Sequence, residues 1–195
     1  MNEKPIAMIT FKHKTAQRKF TERVIWDRLR QHSPVYDGDT IRTADGSEAT
    51  IYFEDGNIME LGENTMAQVF FHDGQVETSV SGGTFVVNSS GAANGALVKT
   101  EGSTVVVNKG AAISASVSEE SGTRVNVSNG DIVFTDQSGL ARAIEEGEGI
   151  ALDASGDEQI IPIVTVLSPS PNAKILAFSG SKESVPFSWT VQNLG

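Results

Sequence analysis

The chain has no cysteine and no hydrophobic run long enough to cross a membrane as a helix. Its 195 residues therefore offer no disulfide, no thiolate metal ligand and no cysteine nucleophile. The longest apolar stretch, residues 160–167, is interrupted by Pro162 and Thr165, whereas a transmembrane helix needs about 20 apolar residues. The first residues do not resemble a signal peptide. With 38% hydrophobic residues, the chain can nevertheless bury a sizeable core.

Charge is distributed unevenly along the chain, whose net charge is -10. Residues 1–30 hold eight of the 15 basic side chains and only three acids, so the rest of the chain is strongly acidic. An acidic body disfavours nucleic acid, and we predict no nucleic-acid partner. Lys12, Lys14, Arg18 and Lys19 form a candidate membrane-proximal basic patch that could face an anionic membrane surface. An ordinary solvated face is the alternative.

Short apolar segments separated by turn signals predict an all-β chain with few or no long helices. Asp-Gly or Asn-Gly pairs, which suit tight turns with positive φ, begin at Asp37, Asp45, Asp55, Asp73, Asn94 and Asn129. Alternation predicts strands at residues 6–11, 40–43, 48–53, 57–61, 67–71, 83–87, 104–107, 113–117, 124–127, 131–134, 149–152 and 159–166. The one helix candidate is the segment 21–31, where Ile25 and Leu29 lie four residues apart.

A repeat of 20 residues runs through the middle of the chain. Four sets of positions recur at this spacing: Gly82, Gly102 and Gly122; Phe85, Val105 and Val125; Val87, Val107 and Val127; Asn88, Asn108 and Ser128. A β-solenoid explains the period, because stacking coils of about 20 residues places equivalent apolar side chains above one another. The polar set would then form a ladder at a corner. An antiparallel meander with regular hairpins is the alternative.

Composition changes near the C-terminus. Four of the six prolines, at positions 162, 169, 171 and 186, fall in this part of the chain. Residues 161–195 are therefore predicted to be a proline-marked linker followed by a truncated β module. Residues 1–33 are predicted to form an N-terminal strand and a basic segment, and residues 34–160 the main domain.

The most specific segment of the sequence runs from residue 33 to residue 65. It contains Gly-Asp at 38–39, Ile-Arg-Thr at 41–43, a strand that ends at Asp-Gly 55–56, and Asn-Thr at 64–65, with Trp26 upstream. This pattern resembles the FecR domain. The resemblance covers roughly residues 5–155, and residues 144–152 are similar to the closing strand of the family.

The resemblance implies a location and a neighbouring domain. FecR domains occur outside the cytoplasm in sigma-factor regulators that sense ferric-siderophore transporters, and also in other envelope proteins. The resemblance therefore implies that this domain lies in the periplasm or cell envelope and is anchored by a segment before residue 1. Residues 169–189 resemble the opening of an immunoglobulin-like module.

Structural roles alone can explain the residues of the FecR-like motif, without any catalytic or ligand-binding function. Asp39 can accept backbone hydrogen bonds in a turn, for which Gly38 supplies the positive φ. Ile41, Ile51 and Phe53 are expected to point to one core. Arg42 is predicted to pair with a carboxylate on a neighbouring strand.

Side chains able to catalyse or to bind metal form no recognisable pattern. His13, His32 and His72 lack metal-ligand spacing, and the Asp37–Asp39 segment lacks the other ligands of a calcium loop. The acidic residues fall at predicted turns rather than at strand centres, where a polysaccharide-cleaving β-helix would need them. We predict no catalytic, cofactor or metal residue and no enzyme activity, with such a β-helix enzyme as an alternative.

The hypothesis that remains is a non-catalytic interaction or sensory module of the bacterial envelope. Tyr36, Tyr52, Phe70 and Phe71 are the candidate interaction surface for an envelope protein or a cell-wall glycan. A rigid structural spacer without a ligand is the alternative.

Overall fold

The computed structural model describes residues 4–21, 23–159, 163–168 and 188–192, which form strands and no helix. This confirms the all-β prediction. The strands are β1 (Ala7–His13), β2 (Ala16–Lys19), β3 (Asp27–Arg28), β4 (Pro34–Val35), β5 (Thr40–Thr43), β6 (Glu48–Phe53), β7 (Ile58–Leu61), β8 (Met66–His72), β9 (Gln75–Asn88), β10 (Ala96–Lys99), β11 (Ser103–Val107), β12 (Ala112–Ser118), β13 (Gly122–Asn129), β14 (Asp131–Asp136), β15 (Ala141–Glu145), β16 (Gly149–Leu152), β17 (Glu158–Gln159), β18 (Ile163–Ser168) and β19 (Ser188–Gln192). The chain divides into two compact units, Met1–Gln159 and Ile160–Gly195.

The strands of the first unit form two hydrogen-bonded ladders. In the first ladder the order is β4, β1, β6, β7, β9, β12, β13, β16 and β17. In the second ladder it is β3, β2, β5, β8, β9, β10, β11, β14 and β15. Strand β9 belongs to both, and it passes from one to the other near Gly83, whose φ is +100°.

Each ladder buries one face, because neighbouring residues of a strand point to opposite sides. Strand β6 shows the alternation over its whole length, with Ala49, Ile51 and Phe53 at most 1% exposed. In β5 the same alternation buries Ile41. Buried apolar residues from both ladders belong to one hydrophobic cluster. The predicted convergence of Ile41, Ile51 and Phe53 on one core is confirmed.

The 20-residue repeat does not produce the predicted single row of stacked side chains. All six apolar members are buried. However, Phe85 and Val125 both pair with Ala115 in the first ladder, while Val105 pairs with Val98 and Phe134 in the second. Alternate copies of the repeat therefore lie in different ladders, and the predicted row is wrong.

The pairings among the described strands favour the antiparallel alternative. All of them are antiparallel except the one between β9 and β10. Stacked coils of a solenoid would pair equivalent strands in parallel, so the solenoid interpretation is not confirmed. Hairpins such as β8–β9 and β12–β13 instead alternate between the ladders as the chain advances.

The predicted ladder of polar residues is also wrong, because each member bonds a different partner. Asn108 donates to the carboxylate of Asp131. The Ser128 hydroxyl donates to the carbonyl of Ala112 at 3.1 Å. Asn88 accepts a hydrogen bond from the Ser90 amide at 2.9 Å. These contacts cap separate turns.

The predicted helix at 21–31 is wrong among the residues described there. A helix in a protein is stabilised mainly by burying an apolar face. Here Leu29 is buried, but Val24 and Ile25 are 91% and 71% exposed. The segment instead contains β3, which pairs with β2.

The second unit contains one pair of strands within the described residues. Strand β18 pairs with β19 in antiparallel register. The linker and most of the segment that resembles an immunoglobulin-like module lie outside the described residues. That module remains a prediction.

Candidate functional site

The outward face of the first ladder forms an open trough with a volume of about 620 Å³. A single cross-strand row runs along it, set by the register of six strands: Phe11, Thr50, Glu60, Val86, Ser114 and Asn126. At the usual strand spacing of about 4.8 Å, this row is about 24 Å long. The trough is thus long enough to contact several units of an extended polymer.

The trough ends at Phe11, and two further exposed apolar side chains lie beside this end, on β1 and β6. Met8 and Tyr52 face each other across these strands, and Phe11 pairs with Thr50 next to them. The three large side chains are 44%, 47% and 49% exposed. Exposed aromatic rings on a sheet face can stack against a flat ligand or an apolar side chain. Met8 and Phe11 were not singled out by the sequence. Met8 alternates with buried Ile9, whereas Phe11 points outward because the register shifts between Ile9 and Phe11.

The rest of the trough carries small polar side chains. Thr84, Ser114, Ser116 and Asn126 supply hydroxyl and amide groups, which both donate and accept hydrogen bonds. Glu60 and Glu48 are the charged residues of the lining, and both are exposed. This arrangement can bind a neutral polar ligand through many weak contacts. It is an open surface rather than an enclosed cleft.

The structure does not bring the four predicted aromatic residues together. Tyr52 lies on the outward face of the first ladder, beside the end of the trough that Phe11 lines. Phe70 and Phe71 lie on β8 of the second ladder, where Phe70 stacks on His72 and Phe71 packs against the core. Tyr36 is half-buried in the loop after β4. Only Tyr52 therefore lies on the outward face of the first ladder, and it lies beside the trough rather than among its lining residues.

Arg18 is turned inward, which corrects its place in the predicted basic patch. Its Nη1 lies 3.5 Å from Oδ2 of Asp39, and the two side chains are 12% and 1% exposed. The guanidinium also donates to the carbonyl of Pro34 and lies 4.1 Å from the Phe20 ring centroid and 5.7 Å from that of Tyr36. A buried carboxylate needs a compensating charge, so Arg18 serves the fold.

Asp39 acts in the turn as predicted. Its Oδ2 accepts a hydrogen bond from the Tyr36 amide at 2.9 Å. Gly38 has a φ of +77°, and the Oγ1 of Thr21 lies only 2.3 Å from where a Cβ would stand. In five of the six predicted Asp-Gly or Asn-Gly turns the glycine has a positive φ, and Gly95 is the exception.

The three lysines of the predicted patch lie at different places. Lys12 and Lys14 flank the turn after β1, where Lys12 donates to the carbonyl of Lys14. Lys19 lies at the end of β2, with its Nζ 5.7 Å from the ring centroid of Trp26. The membrane contact remains a prediction for these three residues.

Trp26 and Arg42 form a cluster that the sequence did not reveal. The Arg42 guanidinium lies 3.9 Å from the centroid of the Trp26 ring. It donates two hydrogen bonds to Oε1 of Gln17, at 3.0 and 2.9 Å. The predicted carboxylate partner of Arg42 is therefore wrong, because the facing strand presents an amide.

Other chemistry is sparse in the part of the chain that the structure describes. No group of three His, Asp or Glu side chains there could hold a metal ion. No helix there is long and apolar enough to cross a membrane. Hydrogen bonds from Ser138 and from the backbone amide of Leu140 lower the pKa of Asp136, but this residue lies in an exposed turn.

The described residues of the first unit are thus an all-β scaffold whose accessible chemistry lies on open sheet faces. Residues 39–133 match the family model described as FecR protein, which confirms the predicted resemblance over that part of the chain.

Two crystal structures of a protein described as a "putative anti-sigma factor" from Parabacteroides distasonis have a similar fold. Their TM-scores are 0.54 and 0.53 at 18% and 17% sequence identity. Each match covers 62% of this chain and 57% of the solved chain. At this identity the likeness shows the fold alone.

A relative in Treponema pallidum (strain Nichols), described as an uncharacterized protein, is 41% identical over 59 residues. That match covers 30% of this chain and 9% of the relative. The chain therefore spans a small part of that protein and little more than half of the solved anti-sigma chains.

Proposed function

We propose that residues 4–159 form a non-catalytic regulatory or sensory module of the bacterial envelope, which binds a protein or a cell-wall glycan in the trough. The observation that supports this most is the trough itself, an open surface with hydroxyl, amide and carboxylate groups that ends at Phe11, with exposed Met8 and Tyr52 beside it. A surface of this kind suits recognition of an extended ligand.

The carboxylates of the trough argue for binding rather than catalysis. A glycosidase needs one carboxyl group kept protonated by a desolvated environment, opposite a second that acts as base or nucleophile. Glu48 and Glu60 are both exposed on an open face. The family and the anti-sigma fold are in keeping with a non-enzymatic role.

The envelope location is part of the same proposal. It rests on the FecR match and on the fold shared with the anti-sigma structures. In that setting the module lies outside the cytoplasm, close to a membrane, where wall glycans and envelope proteins are both available.

The test compares the full chain with a variant that fills the trough. Ser114→Arg places a long side chain at its centre, whereas Thr104→Arg makes the same kind of change on the outward face of the second ladder. Both are screened on an array of cell-wall glycan fragments and in pull-downs from envelope extract, and binding to each hit is then titrated. We expect Ser114→Arg to weaken binding at least tenfold and Thr104→Arg to leave it unchanged.

Two results would overturn the proposal. Turnover of a wall polysaccharide that Glu60→Gln abolishes would make the protein an enzyme. The absence of any partner in both screens would leave the spacer interpretation, which needs no ligand.

A further inference from the structure

The loop between β2 and β3 exposes apolar side chains in the most basic part of the chain. Val24 and Ile25 are 91% and 71% exposed, more than any other large hydrophobic residue described. A hydrogen bond from the Arg23 amide to the carbonyl of Phe20, 3.0 Å long, closes the turn that precedes them. Single exposed apolar residues are common, but here two neighbours are followed by a tryptophan. We refer to residues 23–26 as the apolar loop.

Four cationic side chains lie in the apolar loop or on the strands beside it. Lys19 and Arg42 both lie against the ring of Trp26, at 5.7 and 3.9 Å from its centroid. Arg28 of β3 and Arg42 of β5 are both in register with Gln17 of β2, one on either side of it. Arg23 belongs to the loop itself. The cations and the ring therefore occupy one corner of the second ladder.

These four cations make no ion pair within 4 Å among the described residues, in contrast to Lys4, Lys99 and Arg142. The same stretch of sequence contributes two acids, Glu22 and Asp27, so its charge remains positive. A corner whose cations have no ion-pair partner among the described residues, and whose sequence has an excess of positive charge, is complementary to an anionic partner. Because the cations of two copies would repel, self-association through this corner is disfavoured.

We propose that the apolar loop and its four cations bind an anionic lipid bilayer. Val24 and Ile25 enter the boundary between headgroups and acyl chains, and Trp26 lies at the headgroup level, where tryptophan is enriched. Lys19, Arg23, Arg28 and Arg42 then contact lipid phosphates. This deepens the proposed envelope location, but it does not depend on the trough or on its ligand.

Vesicle sedimentation of the full chain tests the proposal directly. Vesicles of phosphatidylcholine alone are compared with vesicles that contain phosphatidylglycerol, at low and high salt. We expect binding to the anionic vesicles to be at least tenfold tighter and to weaken in high salt, since surface charges are then screened.

Two variants separate the apolar and the charged contributions. Val24→Ser with Ile25→Ser should weaken binding at least tenfold. Lys19→Gln with Arg28→Gln should weaken it about 25-fold, because each cation near an anionic surface contributes about fivefold. Leu140→Ser and Lys109→Gln, which make the same changes at exposed sites elsewhere, should have no effect. Thermal melting of every variant confirms that it is folded.

A spectroscopic measurement shows whether the loop itself enters the bilayer. The chain has two tryptophans, so Trp189→Phe leaves Trp26 as the only one. Brominated lipids should quench its emission in anionic vesicles and not in neutral ones. Equal binding to both vesicle types, no binding, or binding that survives the loop substitutions would overturn the proposal. Self-association abolished by those substitutions, without vesicle binding, would show instead that the loop is a protein interface.

Discussion

The outward faces of the two ladders carry different chemistry on the same kind of backbone. The first ladder presents hydroxyl and amide groups in a row, with an apolar end. The second, at β2, β3 and β5, presents cations stacked on an aromatic ring. Both faces are attached to one core by the same alternation of buried and exposed positions. The core thus determines which positions point outward, and the residues placed there determine what each face can bind.

Breaking the shared core should disable both faces at once, and this is the largest effect we expect. Val107 is fully buried in β11. Val107→Asp buries an unpaired charge and should lower the free energy of unfolding by about 4 kcal/mol. Its neighbour Val106 points outward, so Val106→Asp should cost less than about 1 kcal/mol. Chemical denaturation measures both, and similar stability of Val107→Asp and the parent would contradict this description of the core.

Removing Arg18 should destabilise the corner of the second ladder without touching the trough. Arg18→Ala removes the guanidinium that lies 3.5 Å from the 1%-exposed carboxylate of Asp39, which should cost about 3 kcal/mol. The adjacent Lys19→Ala removes a charge of the same sign and should change stability by less than about 0.5 kcal/mol. Equal denaturation midpoints for the two variants would show that the buried pair is not important for folding.

Gly38 and Gly139 allow the cost of a side chain to be compared between a crowded turn and an open one. Gly38→Ala must adopt a φ of +77° and also displace the side chain of Thr21, so we expect a loss of about 2 kcal/mol. Gly139 has a φ of +85° with open space around it, and Gly139→Ala should cost only about 1 kcal/mol. If thermal denaturation ranks the two variants in the opposite order, Thr21 does not pack as described.

The smallest effect concerns the turn after β14, where hydrogen bonding from Ser138 lowers the pKa of Asp136 below its ordinary value of 3.8. A carboxyl group whose pKa is lower in the folded state stabilises the fold above the unfolded value and loses that contribution as the pH falls. Asp136→Asn should therefore be less stable than the parent at neutral pH, and this difference in the free energy of unfolding should narrow below about pH 4. A carboxyl titration by NMR with a midpoint at or above 3.8 would contradict the hydrogen bonding.

Much of the fold follows from local signals in the sequence. Strands β5, β6 and β16 have their predicted bounds, because alternation and Asp-Gly turns are both local. The distribution of strands between two ladders could not be predicted, since it depends on pairings between distant segments. The repeat is real, yet a period of 20 residues fits parallel coils and alternating hairpins equally well.

The candidate site was only partly predictable. Tyr52 was identified, whereas Met8 and Phe11 join it only through the register of β1 with β6. The burial of Arg18 could not be predicted, because its partner Asp39 lies 21 residues away in the sequence. The exposure of Val24 and Ile25 was hidden by a spacing that resembles a helix.

The separation of the two faces is the central claim, and one cross-comparison tests it most directly. The variants Ser114→Arg and Val24→Ser with Ile25→Ser are each measured against the partner identified for the trough and against anionic vesicles. We predict that the first loses partner binding and keeps vesicle binding, and that the second does the reverse. If either variant, while folded, loses both activities, the two faces are not independent and the account is wrong.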